Sequence, residues 1–171
     1  MNKIIIDGKE YELSDDLAEK IKAEVALQEI ARQVSENPFE RKRADYYYIE
    51  SAGNVCGTYD AGNKESDNGR FLTGNYCRDL GLMEQRALHE TLNRLLWRYS
   101  EEHGGDLPWI GSALNNHWRI HYVYPDGKIS AFYNDCHKQF GCVYFRDEET
   151  ARAAIEEVVK PFIAAHPEFV W

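Results

Sequence analysis

Asp45-Tyr46-Tyr47-Tyr48-Ile49-Glu50-Ser51-Ala52-Gly53-Asn54-Val55-Cys56-Gly57-Thr58-Tyr59 is the stretch whose reading decides the fold. Aromatic and β-branched residues flank a Ser-Ala-Gly-Asn turn, which predicts an antiparallel hairpin. Along a strand successive side chains point to opposite faces, so Tyr47 is expected outward if Tyr46 and Tyr48 face in. The pattern comes again over 118–133, with Pro125-Asp126-Gly127 as its turn. Tyr46, Tyr48, Gly53, Val55 and Tyr59 fall on Ile120, Tyr122, Gly127, Ile129 and Tyr133 at one fixed offset. Gly74, Tyr76 and Ala87 align with Gly141, Tyr144 and Ala154 after a shorter loop and small register changes, which points to an internal duplication.

Working outward, each hairpin leads into the same order of elements. In the first unit, 60–69 is polar and reads as a loop. A third strand from Phe71 to Cys77 follows, then a helix from about Leu82 that His103-Gly104-Gly105 closes. Leu88, Leu92, Leu95, Leu96 and Tyr99 give that helix its inward stripe. In the second unit a short loop precedes a strand from Cys142 to Phe145, then a helix capped by Asp147 with Ala151, Ile155, Val158, Val159, Phe162 and Ile163 inward. Pro161 inside that helix predicts a kink. The apolar ending Phe169-Val170-Trp171 predicts a docked tail. Before all this, Lys3-Ile4-Ile5-Ile6, the turn Asp7-Gly8, and Tyr11 with Leu13 predict a further hairpin. A helix capped around Ser14, Asp15 and Asp16 runs from there to about Glu36, with Leu17, Ile21, Val25, Leu27, Ile30 and Val34 apolar. The expectation is an α+β fold of one domain, 1–171. It comprises a hairpin and helix over 1–40 and two β-β-β-α units over 45–105 and 117–171, with antiparallel sheets carrying helices on one face.

A chain of 171 residues, 43% hydrophobic and 29% charged, has the means to bury a core without disulfides or metal. Cys56, Cys77, Cys136 and Cys142 lack any C-x-x-C pair and read as reduced thiols in apolar surroundings. No stretch approaches the roughly 20 apolar residues of a membrane helix, and the Met1–Gly8 start is interrupted too soon for a signal peptide, so a cytosolic location is expected. The net charge of −9 opposes loading onto nucleic acid, and the basic run Arg41-Lys42-Arg43 reads as a solvated linker.

Candidate chemistry is sparse. His117 and His121 share a strand face, and Cys136 with His137 approaches from the neighbouring strand, the residue types of a zinc site without its short-spaced ligand pairs. Half-exposed strand histidines account for the pattern, and no metal or cofactor is expected. Adjacent strand residues such as Cys136 and His137 point apart, which defeats a thiolate–imidazolium pair. Asp60, Glu65 and Asp67 share one loop but lack the alternating ligands of a calcium loop. No Walker loop, G-x-G-x-x-G, G-x-S-x-G or H-E-x-x-H occurs, and an enzyme is not expected. What stands out is aromatic content, with 11 Tyr and 4 Trp. Tyr and Trp on an acidic surface favour a protein partner, so Tyr47, Asp60, Glu65 and Asp67 are the candidate partner-binding residues.

Three segments carry a resemblance: Ile5-Asp7-Gly8-Tyr11-Glu12-Leu13-Ser14; Asp67-Asn68-Gly69-Arg70-Phe71 with Gly74-Asn75-Tyr76; and Val158-Val159-Lys160-Pro161-Phe162 to Trp171. Together they resemble a family of small proteins carried by phages and integrative elements of Firmicutes. The resemblance implies a setting and no site residue: small acidic proteins on such elements are often inhibitors of host defence, anti-CRISPR proteins among them. An acidic surface can occupy the Lys/Arg-lined channel in which a Cas9-type nuclease holds guide RNA and target. The rival is a nucleic-acid-binding accessory protein using Arg41, Lys42, Arg43 and an outward tyrosine. A third reading, a small hydrolase, requires His117, His121 and Cys136 within about 4 Å of one another. The duplicated unit is compatible with a homodimer.

Overall fold

The computed structural model describes residues 2–6, 9–35, 37–109, 116–124, 126–134 and 137–171, with side chains at all of these except 2, 4–6, 9, 12–13, 26–35 and 134. The expected turn residues Asp7, Gly8 and Pro125, and Cys136, lie outside the described residues. The chain forms two compact units, Met1–Arg41 and Lys42–Trp171. The division falls where the first helix gives way to strand-forming sequence.

In the first unit, β1 (Asn2–Ile6) and β2 (Lys9–Leu13) pair antiparallel with Ile4 opposite Tyr11. The helix α1 (Asp15–Ser35) starts at Ser14, whose Oγ accepts from the Leu17 amide at 3.3 Å. Ala18 is buried and Ile21 half-buried while Leu17 and Val25 are exposed; the expected stripe residues Leu27, Ile30 and Val34 lie outside the described side chains. Asn37 ends the segment, its side-chain oxygen accepting from the Phe39 amide.

The second unit is mixed α/β with small antiparallel sheets. β3 (Asp45–Ile49) pairs with β4 (Val55–Tyr59), and β5 (His117–Val123) with β6 (Lys128–Asn134). Gly53 at φ +94° and Gly127 at φ +64° make the two turns. The third strands of the expected units are absent among the described residues. Each is reduced to one antiparallel bridge, Tyr47 with Cys77 and Trp118 with Phe145. The first reduction has a visible cause. Asn75 Nδ2 donates to Ile49 O at 2.7 Å and its Oδ1 accepts from Ile49 N at 2.8 Å, so a side-chain amide takes the place of the next main-chain rung.

The expected loop 60–69 is corrected as well: it leads into the helix α2 (Glu65–Leu72), which takes in Phe71. Both faces of the first hairpin are thereby covered. Tyr46 and Tyr48 meet Asp67 and Arg70 of α2, whereas Tyr47, Ile49 and Val55 pack with Met83 and Ala87 of α3 (Leu80–Glu102). Helices on one face only, as expected, would have left one of these tyrosine sets in water. The C-terminal half of α3 supplies Leu92, Leu96 and Tyr99 to a larger core with Phe145, Ala151, Ala154, Val159 and Phe162, so one long helix serves both hairpins.

The last helix is built in three parts: α4 (Glu148–Ala154), a π-helical turn (Ile155–Val159) and α5 (Lys160–Ala165). The Lys160 amide reaches back to Ile155 O, a wider turn placed just ahead of Pro161. The ring of Pro161 then sits in the first turn of α5, where a missing N–H is tolerated. The tail docks as expected, with Gln85 bonded to Glu168 O and Val170 N, and Trp171 stacked on Tyr122.

Asp79 and Asp147 cap α3 and α4. Asp147 Oδ1 accepts from Thr150 N at 2.8 Å and Thr150 Oγ1 at 2.7 Å, and these bonds hold its carboxyl below the ordinary range. A depressed folded-state value stabilises above the unfolded value and is lost as pH falls through the folded one. Asp147→Ala is therefore expected to cost about 1 kcal/mol at neutral pH. In denaturant titrations the gap to the unsubstituted protein narrows as pH is taken below about 4.

Candidate functional site

Asp67 and Arg70 stand three residues apart on α2 and so share a face. Both point at Tyr46, which is fully buried on β3. Arg70 Nη1 donates to Tyr46 Oη at 2.8 Å, and Tyr46 Oη donates to Asp67 Oδ1 at 2.8 Å. The guanidinium lies 3.5 Å over the Tyr48 ring, while Tyr46 stacks on Tyr76 at 4.2 Å between ring centres. Burial, with the Asp67 hydrogen bond, raises the Tyr46 hydroxyl against the opposing pull of Arg70. Asp67 Oδ2 is buried and accepts no hydrogen bond among the described residues. Tyr76 Oη donates to Lys42 O at 3.1 Å, and the Asn75 amide clamps Ile49.

The distinctive Asp67…Arg70…Asn75-Tyr76 residues therefore hold α2 and the Cys77 segment against the hairpin. Asn75→Ala is expected to remove about 2 kcal/mol of stability, because two main-chain groups of Ile49 lose their partners together. Urea unfolding with an unchanged m value measures it.

A second polar cluster surrounds His117, which is 3% exposed. Asp106 Oδ1 lies 2.7 Å from His117 Nδ1, and Asp106 Oδ2 accepts from Trp109 Nε1 at 2.6 Å. The Trp109 ring stacks on His117 at 3.6 Å, with Tyr144 edge-on to it. A carboxylate fixing one imidazole nitrogen is two thirds of a catalytic triad, and a hydrolase needs a nucleophile beside the other nitrogen. His121 does not join this cluster: it is exposed beside Phe132, four residues along the strand and so roughly 13 Å from His117. Cys136 lies outside the described residues, and His137 lends its main-chain carbonyl to Tyr144 Oη. Among the described residues no three of His, Cys, Asp and Glu gather as metal ligands.

The other candidates separate by burial. Asp60 and Asp67 are each 1% exposed, which corrects the expectation that they face a partner. Asp60 bonds the Gly62 amide at 2.7 Å, and Asp67 belongs to the Tyr46 cluster. Tyr47 is half-buried against α3 rather than outward, because the face it lines is the one α3 covers. Glu65, at the start of α2, is exposed. Lys42 and Arg43 are exposed as well. Of the thiols, Cys77 is buried and raised by burial, while Cys142 is exposed, against the expectation of an apolar setting.

The residue that the sequence reading passed over is Trp97. It is 60% exposed on α3, between Leu96, which is core, and Arg98. One side of it is a cleft of 380 Å³ lined by Ser51, Ala52, Thr91, Arg94, Leu95 and Arg98. Beyond Arg98 lies a second cleft of 270 Å³, lined by Tyr99, Glu102, Glu157, Val158 and Pro161, where the π-helical turn packs on α3. Tyr99 Oη donates to Glu157 Oε2 across it at 3.2 Å. The signal was present in the sequence: Trp97 is the large aromatic of α3 that falls off the inward stripe.

Among the described residues no helix is long and apolar enough to cross a membrane. Comparison of the chain with protein-family models, with curated proteins and with solved structures finds no match.

Proposed function

We propose that the protein is a non-catalytic inhibitor of host defence that binds a Cas9-type nuclease, with Trp97 as its anchor and its acidic charge as the steering force. The observation that carries the binding part is a tryptophan 60% exposed that lines a cleft of 380 Å³ together with Arg94 and Arg98. Burying such a ring against water is worth roughly 2 kcal/mol or more at a protein interface, and Trp and Arg are the residues that anchor one. The net charge of −9 supports a basic partner, since a nuclease channel for nucleic acid is lined with Lys and Arg. The choice of nuclease and the bacterial cytosol as its place rest on the resemblance described above. We also read the second unit as two copies of one ancestral β-β-β-α motif, which the shared order of hairpin, bridge and Asp-capped helix supports.

The test is a DNA-cleavage assay with guide-loaded nuclease and increasing amounts of the protein. Dose-dependent loss of cleavage that weakens as salt is raised is the expected result; cleavage unchanged at saturating protein overturns the reading. A second reading has its own observation: a bare Trp97 flanked by two arginines is also a base-stacking platform. It predicts tight binding of a single-stranded oligonucleotide by the protein alone, which the inhibitor reading does not.

A further inference from the structure

We propose that the edge of β6 left without a strand partner among the described residues is a self-pairing surface, on which a second copy of this chain lays its own β6 antiparallel so that two hairpins become one four-stranded sheet. The direction of the main-chain groups follows from the bridge on the other side. Trp118 N donates to Phe145 O at 3.1 Å and Phe145 N to Trp118 O at 2.7 Å, so the Trp118 main chain faces away from β6. In an antiparallel ladder the residue opposite then faces away too. That residue is Tyr133, and by alternation Ala131 and Ile129, opposite Ile120 and Tyr122, do the same.

Three N–H and three C=O groups therefore line the outer edge of β6, and β6 has β5 as its one strand neighbour among the described residues. Natural edges are blunted by proline, by charge in mid-strand, by a bulge or by shortness. The edge β4 is five residues long with Gly57 at its centre. In contrast, β6 is seven residues long, with Ile129-Ser130-Ala131-Phe132-Tyr133 free of charge and proline.

Strand register selects a second copy as the occupant. With a two-fold axis at Ala131, Ala131 meets Ala131 of the second copy, and Ile129 meets its Tyr133. All six outward groups of each copy then find partners. Moving the axis one residue, to Ser130 or Phe132, leaves one of the three outward residues past the end of the partner strand. The same register sets a branched residue against an aromatic at Ile129 and Tyr133, and Ser130 against Phe132, a favoured and a neutral pairing. Lys128 comes opposite position 134, an asparagine, so no like charges meet.

Sedimentation of the full chain at rising concentration tests this, using two double variants that read the register. Ser130→Lys with Phe132→Lys sets lysine against lysine across the new ladder, and at least a tenfold rise in the dimer dissociation constant is expected. Ser130→Glu with Phe132→Lys sets opposite charges there, and dimerisation is expected within about threefold of the unsubstituted chain. Thermal melts confirm that each variant folds. An unsubstituted chain that stays monomeric into the high micromolar range, a double-lysine variant that dimerises unchanged, or a charge-swapped variant that fails to recover would each overturn the proposal.

Discussion

Asp67→Ala is expected to lower the unfolding free energy by about 3 kcal/mol, the largest stability effect of any polar substitution in the second unit. Alanine leaves the buried Tyr46 hydroxyl, now holding only the Arg70 donor, without its acceptor. The ion pair itself is the smaller part, because Arg70 Nη1 is 3.8 Å from Asp67 Oδ1 and its side chain is 27% exposed to screening water. Asp67→Asn separates the two contributions. Its carbonyl can still accept from Tyr46, and its amide replaces an oxygen that accepts nothing among the described residues, so a loss of about 1 kcal/mol is expected. Urea titrations of the two variants measure both, and an alanine variant within about 0.5 kcal/mol of the unsubstituted protein would show that the cluster is not structural.

Trp97→Ala is expected to do the reverse. A ring already 60% in water contributes little to the core, so stability should change by no more than about 0.5 kcal/mol. Affinity for the partner should fall about a hundredfold, as removal of a central anchor costs roughly 2–4 kcal/mol. The paired result distinguishes the two polar and aromatic sites of the second unit: one holds the fold and the other is the proposed partner contact. Asp67→Asn, still folded, should bind within about threefold of the unsubstituted chain.

The hairpins, the long helix and the docked tail could be read from sequence because each is local. Alternating aromatics flank a glycine turn at Gly53 and Gly127, and Leu92, Leu96 and Tyr99 repeat at helical spacing. The helix α2 could not be read that way. Its sequence Glu-Ser-Asp-Asn-Gly-Arg-Phe-Leu holds Gly69 and Asn68, poor helix formers, and what makes it a helix is the tertiary demand that Asp67 and Arg70 converge on Tyr46. The shortened third strand was hidden for a related reason, since Asn75 completes the ladder with its side chain. The same two facts explain why the acidic candidates went inward. Asp60 and Asp67 look solvated in a polar stretch, and only the folded arrangement of Gly62 and Tyr46 around them makes burial affordable. Glu65 alone of the acidic three stayed at the surface. The exposed anchor was readable in principle, because a helix stripe that takes Leu96 and Tyr99 inward must turn Trp97 out.

Binding of a guide-loaded nuclease through Trp97, as proposed, is open to direct measurement. Isothermal titration of the protein into purified Cas9, with and without guide RNA and at two salt concentrations, tests it most directly. Saturable binding is expected that weakens at the higher salt and is lost in Trp97→Ala while the variant melts as the unsubstituted protein does. Absence of heat with either form of the nuclease, or equal binding by the Trp97→Ala variant, would contradict it.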